Sequence, residues 1–357
     1  MRFYPIKVKD IRSVTADAVV VSFEIPENIA SEFQFIAGQY LNIRIQIDGQ
    51  LQTRSYSICS SPNESDYCIA VKRLSNGVCS NYINDKLQIG ELVELAAPMG
   101  KFKHIPDALA ANHYTAFAAG SGITPIISII KTVLAQEPNS SFKLVYGNKN
   151  RKSIIFKEAL EALKDKYLHR FSVIHILSRE KTDADLNFGR IDQVKLEQLI
   201  KHHLHLNQVD AFFLCGPEAM VASIRAALAE QKVDAQKIHF ELFTTAQKSS
   251  TKLETTKQQS SDGPTSEVQV ILDGISFDFP LAVNGPSILD AAMAQGADLP
   301  FSCKSGVCCT CKARLLEGEV EMDVVYGLEP DEIDRGFILT CQSHPRSAKL
   351  VVDFDSK

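Results

Sequence analysis

Hydrophobic and polar positions change rhythm twice along this chain. Over residues 6–98 the apolar residues come in short runs broken by turn residues. Residues 14–23 read as two strands about a turn, residues 41–47 alternate with period two, and Asp48-Gly49 supplies a hairpin turn. Several short strands joined by turns predict a small antiparallel β-barrel. From about Tyr114 the rhythm becomes strand, then helix, repeatedly. Strand-like runs at 114–118, 142–146, 171–177 and 211–214 enclose helix-like runs at 126–134 and 156–164. That alternation predicts an α/β region with a parallel sheet. The second change falls at residues 244–266, TTAQKSSTKLETTKQQSSDGPTS, where Leu253 is the one large apolar residue. Such a stretch cannot bury enough surface to offset its ordering entropy and reads as a flexible linker, with an r.m.s. span of about 25 Å for a coil of this length. The expected division is therefore 1–108, 109–243, the linker at 244–266, and a compact third domain at 267–357.

A chain of 357 residues suits two or three domains, and 45% hydrophobic with 23% charged residues is ordinary for a soluble protein. No secretory signal and no membrane span are expected, because no apolar run approaches the required length. Cytoplasmic residence is the corresponding expectation. The net charge of −5 is unevenly placed: residues 267–357 hold 15 acidic and 7 basic side chains, whereas the preceding part is mildly basic. This balance argues against nucleic acid as a partner and allows long-range attraction between an acidic module and a basic surface. Nine cysteines, an odd number, fit thiols and metal ligands better than a disulfide framework.

Four of those cysteines carry the most specific pattern. Cys303, Cys308 and Cys311 form C-x4-C-x2-C, and Cys341 follows 30 positions later. That spacing points to a plant-type 2Fe-2S centre, in which each of two irons takes two thiolates. Gly306 permits the backbone turns such a loop needs. Structural zinc usually requires two separated C-x2-C knuckles, and only one such pair stands here. A Rieske centre would need two histidines, and none interrupts the loop. Cys309 is a spare and reads as a small packed residue.

Three further motifs carry weaker signals. Arg54-Ser55-Tyr56-Ser57, at the expected start of a strand, offers a cation for a diphosphate, an aromatic face and a hydroxyl. Gly77-Val78-Cys79-Ser80 opens an expected helix, where free backbone N–H groups favour phosphate. Alone, each could be a plain strand or an ordinary cap. Gly120-Ser121-Gly122-Ile123-Thr124-Pro125 lies between a strand and a helix and departs from G-x-G-x-x-G at its last position. Proline suits the first turn of a helix, so the loop can still cradle a diphosphate.

Taken in order, R-x-Y-S, G-S-G-I-T-P, Cys215-Gly216-Pro217 and the cysteine loop resemble the ferredoxin–NADP reductase superfamily fused to a plant-type ferredoxin domain. Within it, the segments LVYGN (144–148), SILDAA (287–292), GADLPFSCKSGVCCTC (296–311), LEPDE (328–332) and VVDFD (351–355) resemble the reductase subunits of bacterial phenylacetyl-CoA epoxidases. The resemblance implies a barrel for FAD, an α/β domain for the nicotinamide dinucleotide and a β-grasp (α+β) ferredoxin domain. It implies that Arg54 holds the FAD diphosphate, Tyr56 lies on the flavin ring, Ser57 contacts N5, and Gly77, Val78, Cys79 and Ser80 complete the phosphate site. Gly120, Gly122 and Thr124 would bind the dinucleotide, Cys215 with Gly216 and Pro217 would sit beside the nicotinamide, and Phe243 would cover the other flavin face. Thr124, Cys215 and Ser57 would set the hydride approach. Ser178-Arg179 resembles the pair that meets the 2′-phosphate in NADPH-using members, so NADPH is expected ahead of NADH. The implied activity is a reductase that moves electrons from NADPH, by way of FAD and the 2Fe-2S cluster, to a di-iron oxygenase. A reductase for a ring hydroxylase or acyl desaturase is the nearest alternative, and a non-catalytic redox sensor is the alternative of another class.

Two other features have plainer readings. His202, His203 and His205 lie in a polar stretch without acidic or cysteine neighbours and read as a solvated helix end or loop. Glu329, Asp331, Glu332 and Asp334 read as a solvated acidic face that could help dock an electron acceptor.

Overall fold

The computed structural model describes residues 1–243 and 264–356. One compact unit covers Arg2–Phe243, and the C-terminal residues form a second. None of the helices described is long and apolar enough to cross a membrane.

The first unit begins with β1 (Phe3–Thr15), β2 (Ala18–Glu24), β3 (Tyr40–Ile47), β4 (Gln50–Ser57), β5 (Tyr67–Lys72), α1 (Val78–Asp85) and β6 (Leu92–Ala96). The strands pair antiparallel in the order β4-β3-β6-β1-β2-β5. The bridge Ile58↔Ile69 joins the two ends of that order, which draws the sheet toward a barrel. In β1 the alternation of Tyr4, Ile6 and Val8 inward with charged residues outward is the period-two pattern of a half-buried strand. Valine-rich β2 is buried on both sides, because a second layer covers it.

That layer is the α/β region: β7 (His113–Ala119), α2 (Ile123–Gln136), β8 (Ser141–Asn148), α3 (Lys157–Lys166), β9 (Phe171–Leu177), α4 (Gln193–His202), β10 (Ala211–Gly216), α5 (Glu218–Glu230) and β11 (Ile238–Leu242). Its five strands are all parallel, in the order β11-β10-β7-β8-β9. Later strands add on one side of β7 first and on the other side afterwards. The crevice at that reversal, beyond the carboxyl ends of the strands, is where open α/β sheets hold ligands. Eleven of the fourteen residues of α2 are buried, since the helix is packed between sheet and barrel. One hydrophobic cluster joins Ala18, Val20, Ala37, Cys59 and Ala70 of the barrel region to Ile126, Ile130, Leu144 and Phe213. The two halves expected on either side of residue 108 therefore share a core.

The second unit contains β12 (Thr265–Leu272), β13 (Ile275–Ala282), α6 (Ile288–Ala294), β14 (Lys312–Glu317), β15 (Val320–Met322), α7 (Pro330–Asp334), β16 (Phe337–Leu339), β17 (Ser343–Pro345) and β18 (Lys349–Asp353). The sheet runs β13-β12-β18-β14-β16 and is mixed, with β12 and β18 parallel. Ser287 caps α6, which buries Ile288, Leu289, Ala291 and Ala292 against the sheet. A mixed sheet closed over one helix is the expected β-grasp.

Several sequence expectations shift. Helix α2 starts three residues earlier than its periodicity suggested, at Ile123. Arg54 to Ser57 end β4 rather than begin a strand. Thr265 and Ser266, read as linker, pair with Ala282 and Leu281 in β12, because their extended backbone completes a hairpin ladder. The remainder of that linker, residues 244–263, lies outside the described residues.

Candidate functional site

Two strand ends and two loops build the upper part of the site. Arg54, Tyr56 and Ser57 reach it on β4, and Gly77 is the N-cap of α1. A Cβ on Gly77 would lie 2.4 Å from Ser80 Oγ and 2.9 Å from Leu74 Cβ, so a side chain there would crowd the turn. The Ser80 hydroxyl is taken up locally, accepting from Leu74 N–H at 3.2 Å. Tyr56 and Cys79 lie against each other, and burial, followed by the Cys79 thiol, pushes the Tyr56 phenol far up. Arg54 donates to the Thr53 carbonyl at 2.7 Å, and among the described residues no carboxylate pairs with it. A guanidinium with spare donors, an aromatic ring and a helix start thus share one corner of the barrel. These are the groups an FAD diphosphate and ring require.

The dinucleotide loop follows β7 at the sheet's reversal point. Gly120 has φ +55, and within 4 Å of its missing Cβ only the Lys72 ammonium is found. Gly122 is in tight contact instead: a Cβ there would lie 2.2 Å from the Cys215 carbonyl oxygen. Thr124 donates to the Ser121 carbonyl at 3.0 Å, and the Tyr146 hydroxyl donates to the Gly120 carbonyl at 2.8 Å. The loop is therefore pinned from three sides, with Gly120 left open to a ligand. Room and a cation at Gly120, beside the N-terminal turn of α2, fit a dinucleotide diphosphate.

Cys215 is fully buried at the end of β10, where burial, then the charge of Glu241, pushes its thiol well up. Gly216 accepts the backbone N–H of Phe243 at 3.1 Å, and Pro217 is the N-cap of α5. The structure thus brings Gly122, Cys215, Gly216 and Phe243 together. It links them to the barrel through one bond, Ser57 Oγ to Glu241 Oε2 at 3.2 Å. Burial pushes the Glu241 carboxyl up to about 8, and the Ser57 hydroxyl pulls against that rise. Ser178 and Arg179 stand at the carboxyl end of β9, held by Asn148 and Lys149 carbonyls, with Arg179 exposed. Glu180 turns away to Arg151, leaving the Arg179 guanidinium on the same edge.

Sequence reasoning missed Glu241 as the partner of Ser57, and Lys72, whose ammonium faces Gly120. Lys72 pairs at 3.6 Å with Asp17, another barrel residue. Both side chains reach this site from far along the chain; Glu241 stands in the Glu241-Leu242-Phe243 segment, but nothing in its spacing pairs it with Ser57.

The cysteine loop is built differently. Lys304, Gly306 and Cys309 all take left-handed backbone conformations. The N–H groups of Ser305 and Cys308 point at Cys303 Sγ, each at 3.4 Å, and Cys303 N–H points at Cys308 Sγ at 3.4 Å. The neighbouring Cys308 thiol and the amides of Ser305 and Cys308 hold the Cys303 thiol below its ordinary range against the push of burial. Thr340 binds the Cys311 carbonyl through both its N–H and its hydroxyl, fixing Cys341 beside Cys311. The sulfurs thus fall into two pairs, Cys303 with Cys308 and Cys311 with Cys341. Among the described residues no three His, Cys, Asp or Glu side chains form a set for one ion. Two pairs of sulfurs with amides aimed at them suit two irons better than one tetrahedral zinc. Cys309 is half-buried and donates to the Gly327 carbonyl. Of the acidic group nearby, Glu332 is not solvated: it is buried, pairs with Lys312 at 3.0 Å and closes a capping box with Glu329. Capping α7 turns it inward while Glu329, Asp331 and Asp334 stay exposed.

Three family models match the chain: an oxidoreductase FAD-binding domain over residues 5–104, an oxidoreductase NAD-binding domain over 117–226, and a 2Fe-2S iron-sulfur cluster binding domain over 270–346. A component of the 1,2-phenylacetyl-CoA epoxidase from Escherichia coli K12 is 40% identical over 99% of this chain and 98% of its own. This chain belongs to the FAD- and 2Fe-2S-containing oxygenase reductases. The reductase is also 35% identical, over 92% of its length and 88% of the relative's, to the ferredoxin reductase component of 3-ketosteroid-9-alpha-monooxygenase from Mycobacterium tuberculosis. Among solved structures, phthalate dioxygenase reductase matches 99% of this reductase and 98% of its own chain at a TM-score of 0.61 and 25% identity. The reductase is thus an NAD(P)H-dependent oxidoreductase of three cofactor-binding modules whose relatives serve oxygenases.

Proposed function

We propose that this reductase draws electrons from NADPH and delivers them to a carboxylate-bridged di-iron oxygenase that acts on phenylacetyl-CoA. The observation that carries this reading is the 40% identity, end to end, with the E. coli epoxidase component. Bound FAD would accept hydride and the 2Fe-2S cluster would pass electrons on singly. In this reading Arg54 and the start of α1 hold the FAD diphosphate, and Tyr56 and Phe243 cover the two ring faces. Ser57, backed by Glu241, would meet the flavin nitrogen that takes the hydride. Thr124 and Cys215 would orient the nicotinamide, and the close contact of Gly122 with the Cys215 backbone fixes the spacing between their two loops. Cys303, Cys308, Cys311 and Cys341 hold the cluster. Ser178 and Arg179 take the 2′-phosphate, which favours NADPH over NADH. No side chain need act as an acid or base during hydride transfer, because that step depends on orientation.

The test is reconstitution of the purified reductase with candidate oxygenase components. NADPH consumption that depends on phenylacetyl-CoA and on the di-iron component is the expected result. Coupling instead to a ring- or steroid-hydroxylating oxygenase, with no response to phenylacetyl-CoA, would sink the assignment. The similarity to the mycobacterial monooxygenase component makes that second outcome the one to include.

A further inference from the structure

Asn148 ends β8 at 7% exposure, and neither its Oδ1 nor its Nδ2 meets a hydrogen-bond partner. The Tyr146 hydroxyl, which donates to the Gly120 carbonyl, lies near the amide but beyond hydrogen-bond distance of both its atoms. The backbone of Asn148 is well used: its carbonyl accepts from the Ser178 N–H at 2.9 Å and from the Ser178 hydroxyl at 3.3 Å. A further unpartnered atom, His175 Nδ1, stands on β9 opposite Tyr146, two residues back along the same face. Buried polar groups are nearly always paired, and a buried amide with both ends unsatisfied carries a desolvation cost that the protein alone does not offset.

Its place in the sheet indicates what would satisfy it. Ala119 and Gly147 are in register across β7 and β8, so Asn148 stands level with Gly120. Its carbonyl holds Ser178, so it also adjoins Ser178 and Arg179. A dinucleotide with its diphosphate at Gly120 and its 2′-phosphate at Arg179 must lay the adenosine ribose across Asn148. A ribose hydroxyl both donates and accepts, as a carboxamide does. A phosphate only accepts and would leave Oδ1 unpaired. We propose that Asn148 is a cofactor-binding residue whose carboxamide turns outward to exchange hydrogen bonds with the adenosine ribose 3′-hydroxyl, a group that NADPH and NADH share. Both amide atoms are sealed from solvent in this structure, so binding requires rotation about the side-chain torsions. This inference rests on the reading of the β7–β9 edge as the dinucleotide site.

The experiment is calorimetric titration of NADP+ and of NAD+ into the full, FAD- and cluster-loaded chain and its Asn148→Leu variant, with melting of both proteins without nucleotide. Leucine keeps the volume and removes the hydrogen bonds. The expected result is about tenfold weaker binding of both nucleotides, with a melting temperature unchanged or raised because an unsatisfied amide is gone. Unchanged affinity for both would overturn the proposal. So would a lowered melting temperature with unchanged affinity, which would mark the amide as held by buried water. Should the leucine variant fail to fold, Asn148→Ser, too short to reach the ribose, must show the same weakening, and unchanged affinity there overturns the proposal equally. In parallel, Arg179→Ala should weaken NADP+ alone. Equal loss for NAD+ would remove the 2′-phosphate assignment while leaving Asn148 in place.

Discussion

The loop at residues 120–125 and the cysteine loop at residues 303–311 both rely on glycine for their shape, yet their constraints differ. The first joins a buried strand to a buried helix, and its shape follows from regular structure on both sides. Gly122 there abuts the Cys215 and Gly216 backbone, which cannot give way. The second loop has no regular structure within it. Three left-handed residues turn it, and its amides point inward at sulfur. Gly306 faces Val324: a Cβ placed on the glycine would lie 2.9 Å from one valine methyl and 3.0 Å from the valine backbone oxygen. Where the scaffold supplies the shape, one atom too many disturbs the scaffold. Where the cofactor's ligands supply it, losing one ligand should matter most.

The largest effect should therefore come from a ligand. Cys311→Ser should lower NADPH-driven cytochrome c reduction at least 100-fold, by the loss of one of four cluster thiolates, while ferricyanide reduction stays within about twofold because flavin alone supports it. Equal loss of both activities would contradict an electron path that leaves through the cysteine loop. Next come the two glycines. Gly122→Ala should cost the first unit about 3 kcal/mol, the upper end for overpacking against fixed atoms. Gly306→Ala should cost the second unit about 2 kcal/mol, from a left-handed residue carrying Cβ together with the shift that Val324 must make. Denaturant titrations followed by flavin release and by cluster bleaching measure the two, and a reversed order would break the comparison.

The last effect is read across pH and concerns the link between barrel and sheet. The Glu241 carboxyl stays protonated in the folded chain up to about 8, whereas in the unfolded chain it ionises near the ordinary carboxylate value. The unfolded state therefore gains over the folded state as pH rises between those values, and the loss is complete once pH passes the folded value. Glu241→Gln should flatten the fall in melting temperature between pH 5 and 8 that the wild type shows. An identical slope in both proteins would place the pH dependence elsewhere.

Much of the site was legible because its chemistry is local in sequence. Cys303, Cys308 and Cys311 must be close in any fold, since a few residues separate them. Gly120 to Pro125 betray a strand-to-helix loop by their neighbours' periodicity alone. The Arg54 to Ser57 motif was visible, but its position at the end of β4 was not, because a run of alternating polar residues does not mark which end of a strand it occupies. Glu332 was read as solvated because composition cannot distinguish an exposed carboxylate from one turned inward to cap a helix.

The order of hydrophobic runs and the cysteine spacing, on their own, determined a barrel, a parallel sheet and a 2Fe-2S module in that sequence. Only the tertiary structure decided that Ser57 would meet Glu241 across 184 positions, that Lys72 of the barrel would face Gly120, and that Asn148 would be buried without a partner. The physical reason is range. Periodicity and ligand spacing act between near neighbours in the chain, whereas these three depend on how barrel, helix and sheet edge pack into one core.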